Sequence, residues 1–521
     1  MTRTPHQPAR SHRWRALAVT GATVATTIAF LPPAPASAAT AGKAKNIILL
    51  IGDGMGRTHV TAGRERFYGA AGRLTMETAP VVGQVSTYAS QKDSNQPALV
   101  TDSASAATAW SSGVKTYNAA IGVDAYERRV ETIMEQAKSA GMRTGNVSTA
   151  EITDATPAGM MSHALLRGCQ GPVYSDAACL PPGESAPQDK TLVTPIAEQI
   201  ARNGTADVVF GGGLARFEPA DARALRRQGY TVLGDFGDHT LPDGTQTAET
   251  QRVATRDNLA KVGGKDKKVF ALFNRGNLTV EHAKALAPAD SPVKQEPRLA
   301  ELTDKAITLL GNTSTPGKGF FLQVEGALID KRSHANDAAQ TLDEIKAFDD
   351  AVRVAYEFAR KDGNTLVIVT ADHECAGFNI VEPGTYTNAE AVTPPSNVDS
   401  GNPANNSTPS RPTAGAKDPS RSTGPVNGSG SGDPRNFGPA TFRTPDDAEG
   451  VTDGSTEASL WLTYLSGNHT GADVPIFSTG PQSDRFASSI DNTDIYAKMF
   501  GSLRSLSGRT PNKALPAPAA G

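Results

Sequence analysis

Cysteine is scarce in this chain, basic charge is not in excess, and no apolar run reaches the length of a membrane span; each shortage closes off a class of protein. Three cysteines in 521 residues allow at most one disulfide and leave one thiol over. Lysine and arginine together number 51 against 54 acidic residues, which disfavours a nonspecific nucleic-acid binder, since such proteins depend on basic excess. The longest candidate span lies at the N-terminus, where Arg3, Arg10, Arg13 and Arg15 precede a weakly apolar stretch over 16–31. That stretch falls short of the ~20 residues a spanning helix needs, and Ala36-Ser37-Ala38 offers a small-residue cleavage site, so residues 1–38 read as a secretory signal peptide. The mature form then has no membrane span and carries 47 basic against 54 acidic side chains, a net −7. Acidic clusters in such a chain point first to metals. Export would permit a disulfide between Cys169 and Cys179, which enclose a short polar loop. Cys375 is left over and reads more simply as packing than as chemistry.

What the chain does have is a set of fully apolar strands that each end in an acid. Residues 46–56, NIILLIGDGMG, form an unbroken apolar run bounded by glycines, the pattern of a strand buried on both faces of a parallel sheet. Asp53 falls just past its carboxyl end, where open α/β sheets place their ligands. Gly52, Gly54 and Gly56 resemble a dinucleotide fingerprint, but the final spacing is too short. Further strands are predicted over 143–149, 206–210, 268–273, 320–324, 364–370 and 474–478, alternating with helices over 130–140, 195–202, 298–310 and 341–361. The fold class is α/β, a large mostly parallel central sheet with helices on both faces. One domain is expected over 39–510. A Pro/Gly/Ser/Asn-rich insertion, 394–440, cannot support a core, and 511–521 reads as a flexible tail.

Two other strands deliver acids to the same edge: Glu325 leaves the strand over 320–324, and Asp372-His373 follow the strand over 364–370. One such placement is unremarkable; three, with histidines close to two of them, argue for a metal cluster. Asp330 and His334, four apart, would share a helix face and grip one ion, although such a pair alone is usually a cap or salt bridge. His469 is the only histidine after His373. Thr101 to Gly113, TDSASAATAWSSG, reads as a loop turning into a helix with Ser103 in its first turn, where the helix dipole favours an anion. A serine there is more often an N-cap than a nucleophile, so its partners must decide. The loop after the strand over 143–149 carries Asp154, Thr156, His163 and Arg167; Pro157 suits a first helical turn, which puts Arg167 near the far end of that helix. His239 and His282 lie where no catalytic constellation is visible and read as solvated.

Six stretches, GDGMG, TDSASAATAW, DATP with Arg167, VEGALIDKRSH, VTADHE and NHTG, resemble in order the motifs of the alkaline phosphatases. The resemblance runs from about residue 44 to 499, apart from the insertion. It implies Ser103 as the nucleophile that becomes phosphoserine and Arg167 as the holder of two phosphate oxygens. It implies two zinc ions, the first on Asp330, His334 and His469, the second on Asp53, Asp372 and His373 and contacted by Ser103. A magnesium ion would take Asp53, Thr156 and Glu325, with Asp154 and Lys331 in its outer shell. The Asp154 and Lys331 combination is similar to the enteric bacterial branch, whose disulfide the Cys169–Cys179 pair also matches. Glu374, Cys375 and Gly377 look like another bacterial branch, which has threonine where Cys375 stands. His59 and His163 match no ligand and read as packing or solvated. The implied protein is a secreted phosphomonoesterase acting on small-molecule phosphate monoesters, with a homodimer common in the family. A sulfatase would need a Pro and an Arg after the nucleophile, which Ser103 lacks. A phosphodiesterase of the same superfamily stays open, as does a noncatalytic phosphate-binding protein, against which the full TDSA context speaks.

Overall fold

A computed structural model describes residues 42–237, 250–263, 266–311, 318–383, 440–455 and 457–513. The expected signal peptide, His239, 394–439 of the expected insertion and 514–521 of the expected tail lie outside them. The start of that tail is fastened: the Asn512 amide side chain donates to the carbonyls of Ser112 and Glu131 at 3.1 and 2.6 Å.

The strand Asn46–Gly52 has every side chain buried because it runs through the middle of a ten-stranded sheet. Its neighbours, Thr365–Thr370 and Phe320–Gly326, are both parallel to it. Beyond Phe320–Gly326 follow Arg143–Glu151, Val208–Gly212, Val269–Leu272 and Thr231–Leu233, all parallel. On the other side Val474–Thr479 runs antiparallel to both its neighbours, Thr365–Thr370 and Val81–Ser86, and Ser489–Asp491 closes the edge. The register sets Ile51 level with both Thr370 and Glu325, and Ser148 level with Glu325. The chain therefore emerges from three adjacent strands at one height, and Asp53, Glu325 and Asp372 meet there.

Helices cover both faces, as the two-residue alternation of side chains makes visible. A Cβ at Gly145 would meet Leu310 of the helix Leu299–Gly311, and one at Gly326 would meet Phe348 of the helix Ala338–Asp362. On the opposite face Asn146 donates to the carbonyl of Pro157, and Gln323 accepts from Trp110 and donates to the carbonyl of Thr156. These last contacts belong to the helices Ala155–Met161 and Ser103–Ser112, which pack against each other with Gly159 facing Ala107. A Cβ at Gly159 would lie 2.6 Å from that of Ala107, closer than two carbons can sit. Gly159→Val should therefore push the helices apart and cost about 2 kcal/mol or more, to be read from the urea midpoint at unchanged slope.

A smaller antiparallel sheet, Asn379–Val381, Leu460–Thr463 and Ala440–Phe442, brings the chain back to the site edge; Ala440, expected as the last residue of the insertion, already belongs to it. Cys169 and Cys179 are joined. The sequence expectation fails at Arg167. The helix holding Pro157 stops at Met161, because Ser162 turns extended and its hydroxyl caps the Ala158 carbonyl. Ala164 then exchanges two backbone hydrogen bonds with Ile121, and Arg167 sits in a turn beyond.

Candidate active site

Asp102 is the N-cap of the Ser103 helix: its Oδ1 accepts from the Ser105 amide at 3.0 Å, so the helix begins at Ser103 and directs its N-terminal dipole there. Its other oxygen, Oδ2, accepts from Arg167 Nη1 at 3.1 Å, and Asp154 Oδ1 accepts from Nη2 at 2.8 Å. Two carboxylates thus fix the plane of a buried guanidinium. Asp154 Oδ2 also accepts from Lys331 Nζ at 2.7 Å. Burial alone would raise the Asp154 carboxyl, but Lys331 and Arg167 together outweigh it and hold it well below the usual range.

Around Ser103 the cluster is acidic. Ser103 Oγ lies 3.2 Å from His373 Nε2, which lies 3.1 Å from Asp372 Oδ2 and 3.7 Å from Asp53 Oδ1. Burial opposes a charged ring at His373, yet Asp372, Asp330 and Asp102 lift it to about 9. Burial, and then the charges of Asp372, Asp330 and Glu325, push Asp53 well above the usual carboxylate range. Burial likewise pushes Glu325 up to about 8 despite the Ser148 hydroxyl that donates to it. The nearby Lys331 is engaged with Asp154, so four buried carboxylates, Asp53, Glu325, Asp330 and Asp372, call for cations beyond it. Among the described residues, Asp53 Oδ1, both oxygens of Asp330, Asp372 Oδ2 and Thr156 Oγ1 are buried with no hydrogen-bond partner. The Thr156 carbonyl accepts from Gln323, on the same strand as Glu325.

The sharpest sign of a cation is between two imidazoles. Asp330 and His334 share the helix Leu328–His334, with His334 Nε2 3.2 Å from Asp330 Oδ2. His334 Nδ1 donates to the Gly467 carbonyl at 2.6 Å, and His469 Nδ1 donates to the Thr101 carbonyl at 3.0 Å. A carbonyl can only accept, so each ring carries a proton on Nδ1 and turns Nε2 toward Asp330 and the other ring. Those two Nε2 atoms lie 3.0 Å apart, so a proton or a metal ion between them would be shared by both rings. Histidine ligands of metals characteristically anchor their other nitrogen in this way. Carboxylate and imidazole donors suit zinc, and the Asp, Glu and Thr oxygens suit magnesium.

Gly54 makes the crowding possible: it adopts φ +69°, and a Cβ there would lie 2.8 Å from both Asp330 Oδ1 and Cys375 Cβ. Glu374 fastens the loop behind the site, accepting from the amides of Gly377 and Phe378 and from the Thr470 hydroxyl. His59 is packing: buried beside Phe378, with Nε2 3.0 Å from Ser333 Oγ, it is pushed down to about 3 by burial. His163 is buried between the Gly122 carbonyl and Glu135. His282 is not simply solvated, since its Nδ1 lies 2.7 Å from Asp343 Oδ2 in a half-buried ion pair. Sequence reasoning overlooked Asp102 as a site residue; the signal was its place directly before Ser103.

The model of the family described as alkaline phosphatase matches residues 44–504. An alkaline phosphatase of Escherichia fergusonii is 44% identical over 359 residues, 66% of this chain and 72% of that relative. Alkaline phosphatase 3 of Bacillus subtilis is 30% identical over 511 residues, covering 88% and 89%. Among solved structures, the alkaline phosphatase of the Antarctic bacterium TAB5 is 26% identical at a TM-score of 0.57, covering 89% of this chain and 98% of that one. A variant of it carries Mg in a site called M3.

Proposed function

The chain belongs to the alkaline phosphatase family of metal-dependent phosphate-monoester hydrolases, and from that premise we propose that it is an exported enzyme working through a phosphoserine on Ser103. The observation that carries this reading is the convergence of Ser103 Oγ, three imidazoles and hydrogen-bond-orphaned carboxylate oxygens in one buried cluster. Asp330, His334 and His469 would hold one zinc ion, and Asp53, Asp372 and His373, with Ser103 in contact, a second. Asp53, Thr156 and Glu325 would hold magnesium, in keeping with the Mg reported for the TAB5 variant. When bound, these ions supply Lewis acidity that lowers the pKa of the serine hydroxyl and of water and stabilises a departing oxygen.

The side chains perform the rest. Ser103, at the positive end of its helix, attacks phosphorus as its hydroxyl proton passes to solvent, and the P–O bond to the alcohol breaks on the opposite side, the departing oxygen taking a proton from water. Arg167, held flat by Asp102 and Asp154, presents a planar fork to two phosphate oxygens. Lys331, charged and steered by Asp154, adds a second cation beside them. Water then attacks the phosphoserine and frees Ser103. Export rests on the leader over 1–38, and among the described residues no helix is long and apolar enough to cross a membrane.

With the proposed ions bound, Arg167 and Lys331 beside them would favour a dianion with three free oxygens over a diester, which has one charge and a second bulky group. The kcat/KM for an aryl phosphate should exceed that for the matching diaryl ester by at least ~100-fold, about 2.7 kcal/mol in the transition state. A diester preference would move the chain to the phosphodiesterase reading.

A further inference from the structure

Cys375 has no part in the mechanism above, yet its surroundings are those of a ligand. The two-residue ladder of Glu374–Cys375 with His469–Thr470 sets Cys375 opposite His469. Its amide donates to the Gly54 carbonyl at 3.1 Å, and its Sγ lies 3.8 Å from the Asp330 carbonyl, so the sulfur is held beside the helix that carries Asp330 and His334. Sγ, a carboxylate oxygen of Asp330 and ring nitrogens of His334 and His469 all lie within 4.8 Å of one another. Independently of the cysteine, Asp330 points to a ligand: both its oxygens are buried without a hydrogen-bond partner. The two facing Nε2 atoms, 3.0 Å apart, point to the same space. An Asp, His, His, Cys set is a zinc donor set, and its sulfur is softer than any other donor in the cluster.

We propose that Cys375 is a thiolate ligand of the first metal ion, completing a four-residue site with Asp330, His334 and His469. The proposal rests on the metal reading of those three residues. The thiol gives up its proton to solvent as the metal–sulfur bond forms. Expansion of zinc to five ligands, known for transition states at catalytic sites, leaves room for a substrate or water oxygen beside the sulfur. The thiolate would fix the ion more firmly than three N and O donors do.

Cobalt(II) tests this directly in the purified chain, stripped with a chelator and reloaded. Cys169 and Cys179 are bonded to each other and the sequence has only three cysteines, so a thiolate-to-cobalt charge-transfer band in the near ultraviolet can come only from Cys375. The wild type should show that band together with the visible cobalt absorption. Cys375→Ser should keep the visible absorption, lose the band, and yield its metal to a chelator at least ~10-fold faster, the lower bound for losing even an outer-shell partner. Visible absorption without the band in the wild type overturns the proposal and leaves the metal-dependent function standing; a band that survives in Cys375→Ser also overturns it. Failure of the wild type to bind cobalt at all overturns the site and the function together. Should the variant not fold, X-ray absorption of the zinc-loaded wild type decides, by the presence or absence of a sulfur shell near ~2.3 Å.

Discussion

Ser103→Ala should reduce turnover of an aryl phosphate by at least ~1,000-fold, more than about 4 kcal/mol of transition-state stabilisation, with zinc content unchanged. The size follows from what the variant removes. Ser103 is wholly buried, and among the described residues its hydroxyl is the nucleophile placed against His373 Nε2, 3.2 Å away. Alanine deletes that oxygen and little else: the helix is capped by Asp102, not by Ser103, and alanine is the best residue for a helical position. The proposed zinc ligands Asp53, Asp372 and His373 come from other strands and keep their places, so metal analysis separates a lost nucleophile from a lost site. Acid quenching of the wild type during turnover should leave phosphate on the peptide containing Ser103, and the variant should leave none. Activity within tenfold of wild type would end the covalent reading and favour direct attack by water.

The core of the site was legible because its chemistry sits at the ends of apolar runs. A run such as that ending at Ile51 can only be a buried strand, and strands of one parallel sheet deliver their carboxyl ends to one edge. Asp53, Glu325 and Asp372 were therefore placed by pattern alone, and the register of Ile51 with Glu325 and Thr370 bears that out. The helical pairing of Asp330 and His334 followed from spacing in the same way. What escaped was whatever depends on contacts between distant segments. Arg167 was put at a helix end, but a backbone pairing with Ile121 drew its segment out of the helix, and no local preference encodes that. Asp102 reads as any N-cap does; its second bond, to Arg167 65 residues away, exists only in the fold. Cys375 read as packing because a lone thiol carries no spacing to interpret.

Asp53→Asn should abolish most activity as well, and by a different route: the proposed second zinc and the magnesium should both be lost, while the first zinc stays. Elemental analysis should fall from about three ions per chain toward one, in keeping with the metal load lost when a shared ligand loses its charge. Asp53 is the residue on which the two proposed sites overlap. Burial, and then the charges of Asp372, Asp330 and Glu325, push its carboxyl well above the usual range, so a cation at this position relieves a buried crowding of like charge. Asparagine keeps the shape and the approach of the Gly54 amide to Asp372, 2.9 Å away, but brings a neutral oxygen where two cations need a shared anion. His334 and His469 are oriented by the carbonyls of Gly467 and Thr101, neither of which depends on Asp53, and Asp330 shares its helix with His334. Equal loss of all three ions would show instead that the cluster binds as one cooperative unit, with Asp53 holding the first zinc through the Asp330 carboxylate that repels it when the metal is gone.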